Sequence, residues 1–151
     1  MASRYTIINH LPPPAECLAI LLGCAECIVF GLGGLSSPAD YARGYGLPID
    51  APTEEGQELT DNQKTQKALV TALAARHVQN GVLILTLGLY TRERTALGFA
   101  VAYGVISTLA DSFIVKSYGI NHLAGAHVIG FLNSLVVGGA LLCWRRDDKL
   151  W

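Results

Sequence analysis

Residues 15–35 read AECLAILLGCAECIVFGLGGL. Two glutamates are the only charges in that stretch and no proline interrupts it, so it can run as one helix of roughly 20 residues, the length that crosses the hydrocarbon of a bilayer. Three more stretches of the same kind follow, at about 68–90, 95–115 and 122–144. Backbone amides in hydrocarbon need partners within the span, and the two-residue alternation of a membrane barrel is missing from all four, which leaves helices. The predicted fold is therefore all-α: an integral membrane four-helix bundle forming a single domain over 1–151, with one long extramembrane loop at 36–67.

The whole chain agrees with that reading. Of its 151 residues, 51% are hydrophobic and only 15% charged, with a formal net charge of −1. A soluble domain carries about 25% charged residues, and a nucleic-acid-binding chain needs a basic excess. Both classes are excluded, and the expected surroundings are a lipid bilayer with no nucleic-acid partner. Pro12, Pro13 and Pro14 stand where the first helix begins, a position that tolerates fixed φ and missing donors. The long connection carries Pro38, Pro48 and Pro52 with six acidic residues and reads as a solvated loop or lid. The connections at 91–94 and 116–121 are short, so spans two, three and four are expected to be sequential antiparallel neighbours. Both termini share a face, which collects Arg4, Arg92, Arg94, Arg145, Arg146 and Lys149 against Arg43, Lys64, Lys67 and Lys116 opposite. That bias favours cytosolic termini. Glu16 and Glu26 argue against reading the first span as a cleavable signal.

Small residues recur at intervals of four: Ala15, Ala19, Gly23, Cys27 and Gly31 in span one, Ala96, Ala100, Gly104, Thr108 and Ser112 in span three, Ala126, Gly130, Ser134 and Gly138 in span four. Lipid gives helices no hydrophobic reason to associate, so such seams are where backbones approach.

Against this apolar background four ionisable residues stand out, one per span: Glu26, Arg76, Asp111 and His127. A charge near the bilayer centre costs on the order of 2.5–3.5 kcal/mol, so these groups should face inward and pair. Counted from the helix ends on the long-loop face, they lie roughly 6–14 Å deep, within one layer. Gln79 and Asn80 follow Arg76 by three and four residues, and Tyr103, Ser107 and Asp111 form a stripe on span three. A polar pocket opening toward the long loop is expected. Two carboxyls, a fixed cation and an imidazole suffice for acid–base chemistry, since desolvation raises one carboxyl's pKa while Arg76 holds another ionised. The catalytic candidates are Asp111, with Arg76 as its charge partner, His127 and Glu26. Asn80, Tyr103, Ser107 and Gln79 are candidates for binding and orienting a substrate oxygen or a water.

Other features carry less. An ion pair of Arg76 with Asp111 or Glu26 that merely fixes helix register, with His127 only hydrogen-bonding a neighbouring helix, is the competing account of the same residues. His77, rotated away from Arg76, and His122, at a helix end, read as interfacial, and Asn133 as a link between helices. Cys24-Ala25-Glu26-Cys27 lies mid-span with no second half of a metal set, so neither a metal nor a cofactor is expected. Trp144 reads as an interfacial anchor.

The Arg76-x-x-x-Asn80-Gly81 run, the Ala110-Asp111 pair late in span three and Ala126-His127 in span four together resemble the small four-span membrane proteins of a domain-of-unknown-function family common in filamentous fungi. Some members are encoded beside polyketide and terpenoid biosynthetic enzymes. The resemblance implies a tailoring step on a hydrophobic secondary-metabolite intermediate: epoxide opening by hydrolysis or cyclisation, or an isomerisation. It carries over Arg76, Asn80, Asp111 and His127. The functional expectation is a membrane-embedded, cofactor-free enzyme in the endoplasmic reticulum or a related endomembrane, with a homo-oligomer left open. Two other classes remain: a non-catalytic module binding lipid or a partner enzyme, and a proton-coupled carrier.

Overall fold

A computed structural model describes residues 13–50 and 58–144. Four of its helices are long and apolar enough to cross a membrane: α1 (Pro14–Ser36), α3 (Asp61–Thr91), α4 (Arg94–Tyr118) and, after a 3₁₀ turn at Asn121–Leu123, α5 (Ala124–Cys143). The all-α membrane bundle expected from sequence is what forms. Large apolar side chains such as Leu21, Ile28, Leu32, Ile106 and Val136 point outward, which is how a protein solvated by lipid presents itself.

The 36–67 segment differs from a simple loop in two ways. Pro38–Tyr45 forms a further helix, α2, started by Pro38 in its first turn and ended by Gly46, whose φ of 99° only glycine adopts without strain. At the other end α3 begins at Asp61, seven residues before the predicted span. A capping box sets its start: the Thr60 hydroxyl accepts from the Gln63 amide, and the Gln63 side chain accepts from the Thr60 amide. At 1.5 Å per residue α3 is about 46 Å long, beyond the ~30 Å of hydrocarbon, so its first turns with Lys64 and Lys67 extend past the apolar layer.

The four spans pack as two pairs. α1 and α3 approach most closely at Gly81, where a Cβ would meet the Cys27 amide nitrogen at 2.5 Å and the Gly23 carbonyl oxygen at 2.7 Å. α4 and α5 approach at Gly138, where a Cβ would lie 2.8 Å from the Cα of Ala102, and at Gly104, which faces Ser134. The small-residue seams thus lie on helix contacts. The expected adjacency of spans two and three does not follow, however: α3 and α4, though joined by a short turn, scarcely touch. Their facing surfaces bear Leu73, Arg76 and Asn80 on one side and Tyr103 and Ser107 on the other, too large and too polar to close over small residues.

The core is correspondingly one-sided. Ala19, Ile84, Leu97, Val101, Val137 and Leu141 form a single buried cluster at the end of the bundle where α1 begins and α5 ends. At that end Glu16, fully buried, lies 3.2 Å from the Nε of Arg94. Arg94 also donates to the carbonyls of Ala140, Leu141 and Trp144, capping the C-terminus of α5. The opposite half of the bundle, toward α2, is splayed.

Candidate functional site

Two adjoining cavities occupy that splayed half. The first, about 380 Å³, lies between α1, α3, α4 and α5 and is walled by Glu26, Arg76, His77, Asn80, Tyr103, Ser107 and Asp111, among others. The second, about 350 Å³, lies beneath α2 and is walled by Glu26, Phe30, Tyr41, Tyr45, His77, Asp111 and His127. Glu26, His77, Thr108 and Asp111 border both. Two of the four ionisable candidates, Glu26 and Asp111, therefore border both chambers, while Arg76 faces only the first and His127 only the second.

The shortest contact there is one that sequence reasoning set aside. His77 Nδ1 lies 2.6 Å from Glu26 Oε2. An ionised carboxylate only accepts, so Nδ1 carries the hydrogen and a neutral ring keeps its lone pair on Nε2. That Nε2 is buried and has no hydrogen-bond partner. The spacing misled because α3 turns its His77 side, and not the Arg76 side 100° away, toward α1. Glu26 stands at the start of a π-helical stretch of α1, Ala25–Leu32, whose turns are wider than an α-turn. Gly31 packs within this turn so closely that a Cβ would come 2.6 Å from Val78, bringing the α1 backbone against the turn of α3 that bears His77.

Asp111 is held differently. The hydroxyl of Tyr45, from α2, hydrogen-bonds to its carboxylate. The sequence expectation paired Asp111 with Arg76, but Arg76 makes no ion pair among the described residues and is exposed along the cavity rim. A long cationic side chain in the gap between α3 and α4 can keep its guanidinium away from hydrocarbon without a partner. His127 turns to α2 as well: its Nε2 donates to the Tyr45 carbonyl at 2.8 Å, and its ring meets the Tyr45 ring edge-on at 4.6 Å. Gln79 is exposed and borders neither chamber, because it lies 100° around the helix from Asn80. Asn133, expected between helices, is exposed too.

The lid helix supplies the residues least conspicuous in the sequence. Tyr41 and Tyr45 are four apart, hence on one face of α2, and that face is turned to the second cavity. Phe30, His77, Tyr41, Tyr45 and His127 form a continuous row of rings, with neighbouring centroids 4.6 to 6.1 Å apart. Burial raises both phenols well above their usual pKa; the carboxylates of Glu26 and Asp111 add to this for Tyr41, and the hydrogen bond to Asp111 does so for Tyr45. Both therefore remain protonated donors at any physiological pH. The Tyr41 hydroxyl, like His77 Nε2, is buried without a partner. An Tyr-x-x-x-Tyr pair just after a proline helix start was the available signal.

Fold and site together define a class: an all-α membrane bundle with a polar, aromatic-lined chamber under a helical lid. The chain belongs to the family described as Domain of unknown function (DUF4267), whose model matches residues 24–141. That range takes in Glu26, His77, Asp111, His127 and both lid tyrosines. No curated protein and no solved structure matches the chain.

Proposed function

We propose that this protein is a membrane-embedded enzyme performing cofactor-free acid–base chemistry on a hydrophobic intermediate that enters from the bilayer. One observation carries the reading: His77, oriented by Glu26 at 2.6 Å, holds an unpartnered Nε2 where two cavities meet. A carboxylate that fixes the tautomer and stabilises the imidazolium makes the far nitrogen an effective general base. A buried nitrogen left without a hydrogen bond costs about 1–3 kcal/mol, a cost that a bound substrate or water repays.

Asp111 is the second carboxyl group, steadied by Tyr45. Arg76, Asn80, Tyr103 and Ser107 border the gap between α3 and α4, the lateral route from lipid, and orient an oxygen function on its way in. An epoxide suits this kit. The base activates water or a substrate hydroxyl, an acid assists departure of the ring oxygen, and no redox partner is required. Isomerisation by proton transfer would use the same groups. In keeping with the fungal resemblance, the intermediate is a polyketide or terpenoid, and the membrane is the endoplasmic reticulum or a related endomembrane with cytosolic termini.

The test is turnover by the purified protein in nanodiscs, using a farnesyl-chain terminal epoxide in ¹⁸O-labelled water. Single ¹⁸O incorporation into a diol is expected from the wild type, with at least a 100-fold loss in Glu26→Gln and Asp111→Asn. Turnover at wild-type rate in both variants would overturn the assignment. An absence of conversion, with folding and lipid association intact, would favour the non-catalytic module.

A further inference from the structure

Within the second cavity, two buried polar atoms lack partners: the hydroxyl of Tyr41 on the lid and Nε2 of His77 on α3. Their rings are edge-on neighbours with centroids 6.1 Å apart. The other ionisable side chains on the wall of the second cavity are engaged. Tyr45 gives its hydroxyl to Asp111 and its carbonyl to His127, and the Glu26 carboxylate takes the other nitrogen of His77. A donor and an acceptor left unsatisfied on neighbouring rings, in a chamber whose remaining wall includes Val29, Phe30, Ala126 and Gly130, describe the negative image of a ligand. That ligand is greasy over most of its surface and carries an oxygen that meets these two rings.

We propose that Tyr41 is a catalytic residue of this chamber, donating to the oxygen of a lipophilic guest while His77 Nε2 acts beside it as the base. The assignment rests on the enzymatic reading above and gives it a specific acid. For an epoxide, His77 Nε2 removes a proton from water as the water oxygen bonds to a ring carbon. The carbon–oxygen bond of the ring breaks, its electron pair stays on that oxygen, and the oxygen takes the phenolic proton of Tyr41. The imidazolium then returns its proton to the phenolate through chamber water, so that epoxide and water give a vicinal diol and the protein is restored. The lid thereby couples closure to catalysis: when α2 lifts, the acid leaves with it.

The experiment has a binding arm and a turnover arm. A long-chain aliphatic primary amide is the binding probe, because its carbonyl accepts from Tyr41 and its N–H donates to His77 Nε2. Affinity is measured by titration calorimetry on the full chain in nanodiscs. Tyr41→Phe is expected to weaken binding at least 10-fold, and to lower turnover of the farnesyl-chain epoxide at least 100-fold with a smaller change in KM. Tyr90→Phe, exposed at the far end of α3, is the control and should match wild type. Helix content and thermal unfolding of Tyr41→Phe exclude a folding failure. Wild-type affinity in Tyr41→Phe, or failure of the wild type to bind the amide, overturns the proposal. If the amide binds in a Tyr41-dependent way but the wild type converts no epoxide, the oxygen-holding pair stands as a binding site; the catalytic role falls together with the enzymatic reading.

Discussion

His127 Nε2 donates to the backbone carbonyl of Tyr45 at 2.8 Å, so a histidine from the last span holds the C-terminal end of the lid helix. A second bond from the Ile120 amide to the Gly46 carbonyl, 2.9 Å, reinforces it, and the Asp50 amide donating to Gln66 at 2.8 Å anchors the following segment to α3. The lid is tied on both sides of the chamber. His127 thus has the mechanical task foreseen in the competing account of it, a hydrogen bond to a neighbouring helix, and that helix is the lid.

Replacing His127 with alanine should loosen the lid without dissolving the bundle. One hydrogen bond of about 0.5–1.5 kcal/mol is lost, so amide exchange across residues 38–47 should quicken about 3- to 10-fold, with α4 and α5 unchanged. Exchange mass spectrometry in nanodiscs reads this directly. Unaltered exchange in the lid would show that the contact holds nothing.

At the other end of the bundle, Glu16 and Arg94 should behave as a structural pair. Arg94→Leu leaves a carboxylate with no exposed surface and removes the cap on α5. Stripping one partner from a buried ion pair costs about 3–5 kcal/mol. The double variant Glu16→Leu/Arg94→Leu should regain part of that loss in an SDS unfolding titration, since no lone charge remains. A double variant less stable than Arg94→Leu would contradict the ion-pair account.

How far the sequence reveals this molecule depends on which interaction is asked about. Hydropathy exposes the spans because bilayer thickness imposes a length that each must meet, and the seams at Gly23, Gly104 and Gly138 are legible because backbone approach demands small residues. The pairing of charges was not legible. Arg76 and Asp111 look complementary on paper, yet helix pairing places Arg76 at a gap and gives Asp111 to a tyrosine from a segment read as loop. His77 is set aside by a helical count that takes Arg76 as the inward side of α3; the count itself is regular, but helix pairing turns His77, 100° away, toward Glu26 and leaves Arg76 exposed. Glu16 served only as an argument against a signal peptide, because its partner lies 78 positions away and no local spacing connects them.

The lid tyrosines set an alkaline limit on lid closure. In the closed state both phenols are raised above the ordinary value of 10.0, chiefly by burial. A group whose folded pKa is raised binds its proton more tightly when folded, so its contribution is complete below the unfolded pKa and is lost as pH climbs beyond it. Lid protection should therefore be level from pH 7 to about 9.5 and decline above pH 10. Amide exchange across residues 38–47, corrected for the intrinsic pH dependence of exchange, measures opening. The decline should shrink in Tyr41→Phe and nearly vanish in Tyr41→Phe/Tyr45→Phe. A decline of equal size in the double variant would place its cause elsewhere.

Gly81 and Gly139 offer a matched pair of substitutions within the same fold. Each lies inside a spanning helix, where alanine is intrinsically favoured over glycine by roughly 0.5–1 kcal/mol. At Gly139 nothing lies within 4 Å of a new Cβ, so Gly139→Ala should be neutral or mildly stabilising. At Gly81 the same methyl would meet the amide nitrogen and Cβ of Cys27 and the carbonyl of Gly23, which are backbone or nearly so and cannot swing aside. α1 and α3 must separate, at a cost of about 1–3 kcal/mol. The separation also draws Glu26 away from His77, because Glu26 immediately precedes Cys27 on α1 and His77 lies one turn before Gly81 on α3. Gly81→Ala should therefore lower SDS resistance and turnover together, whereas Gly139→Ala leaves both intact. Equal behaviour of the two variants would mean that close approach of α1 and α3 is not what aligns the dyad.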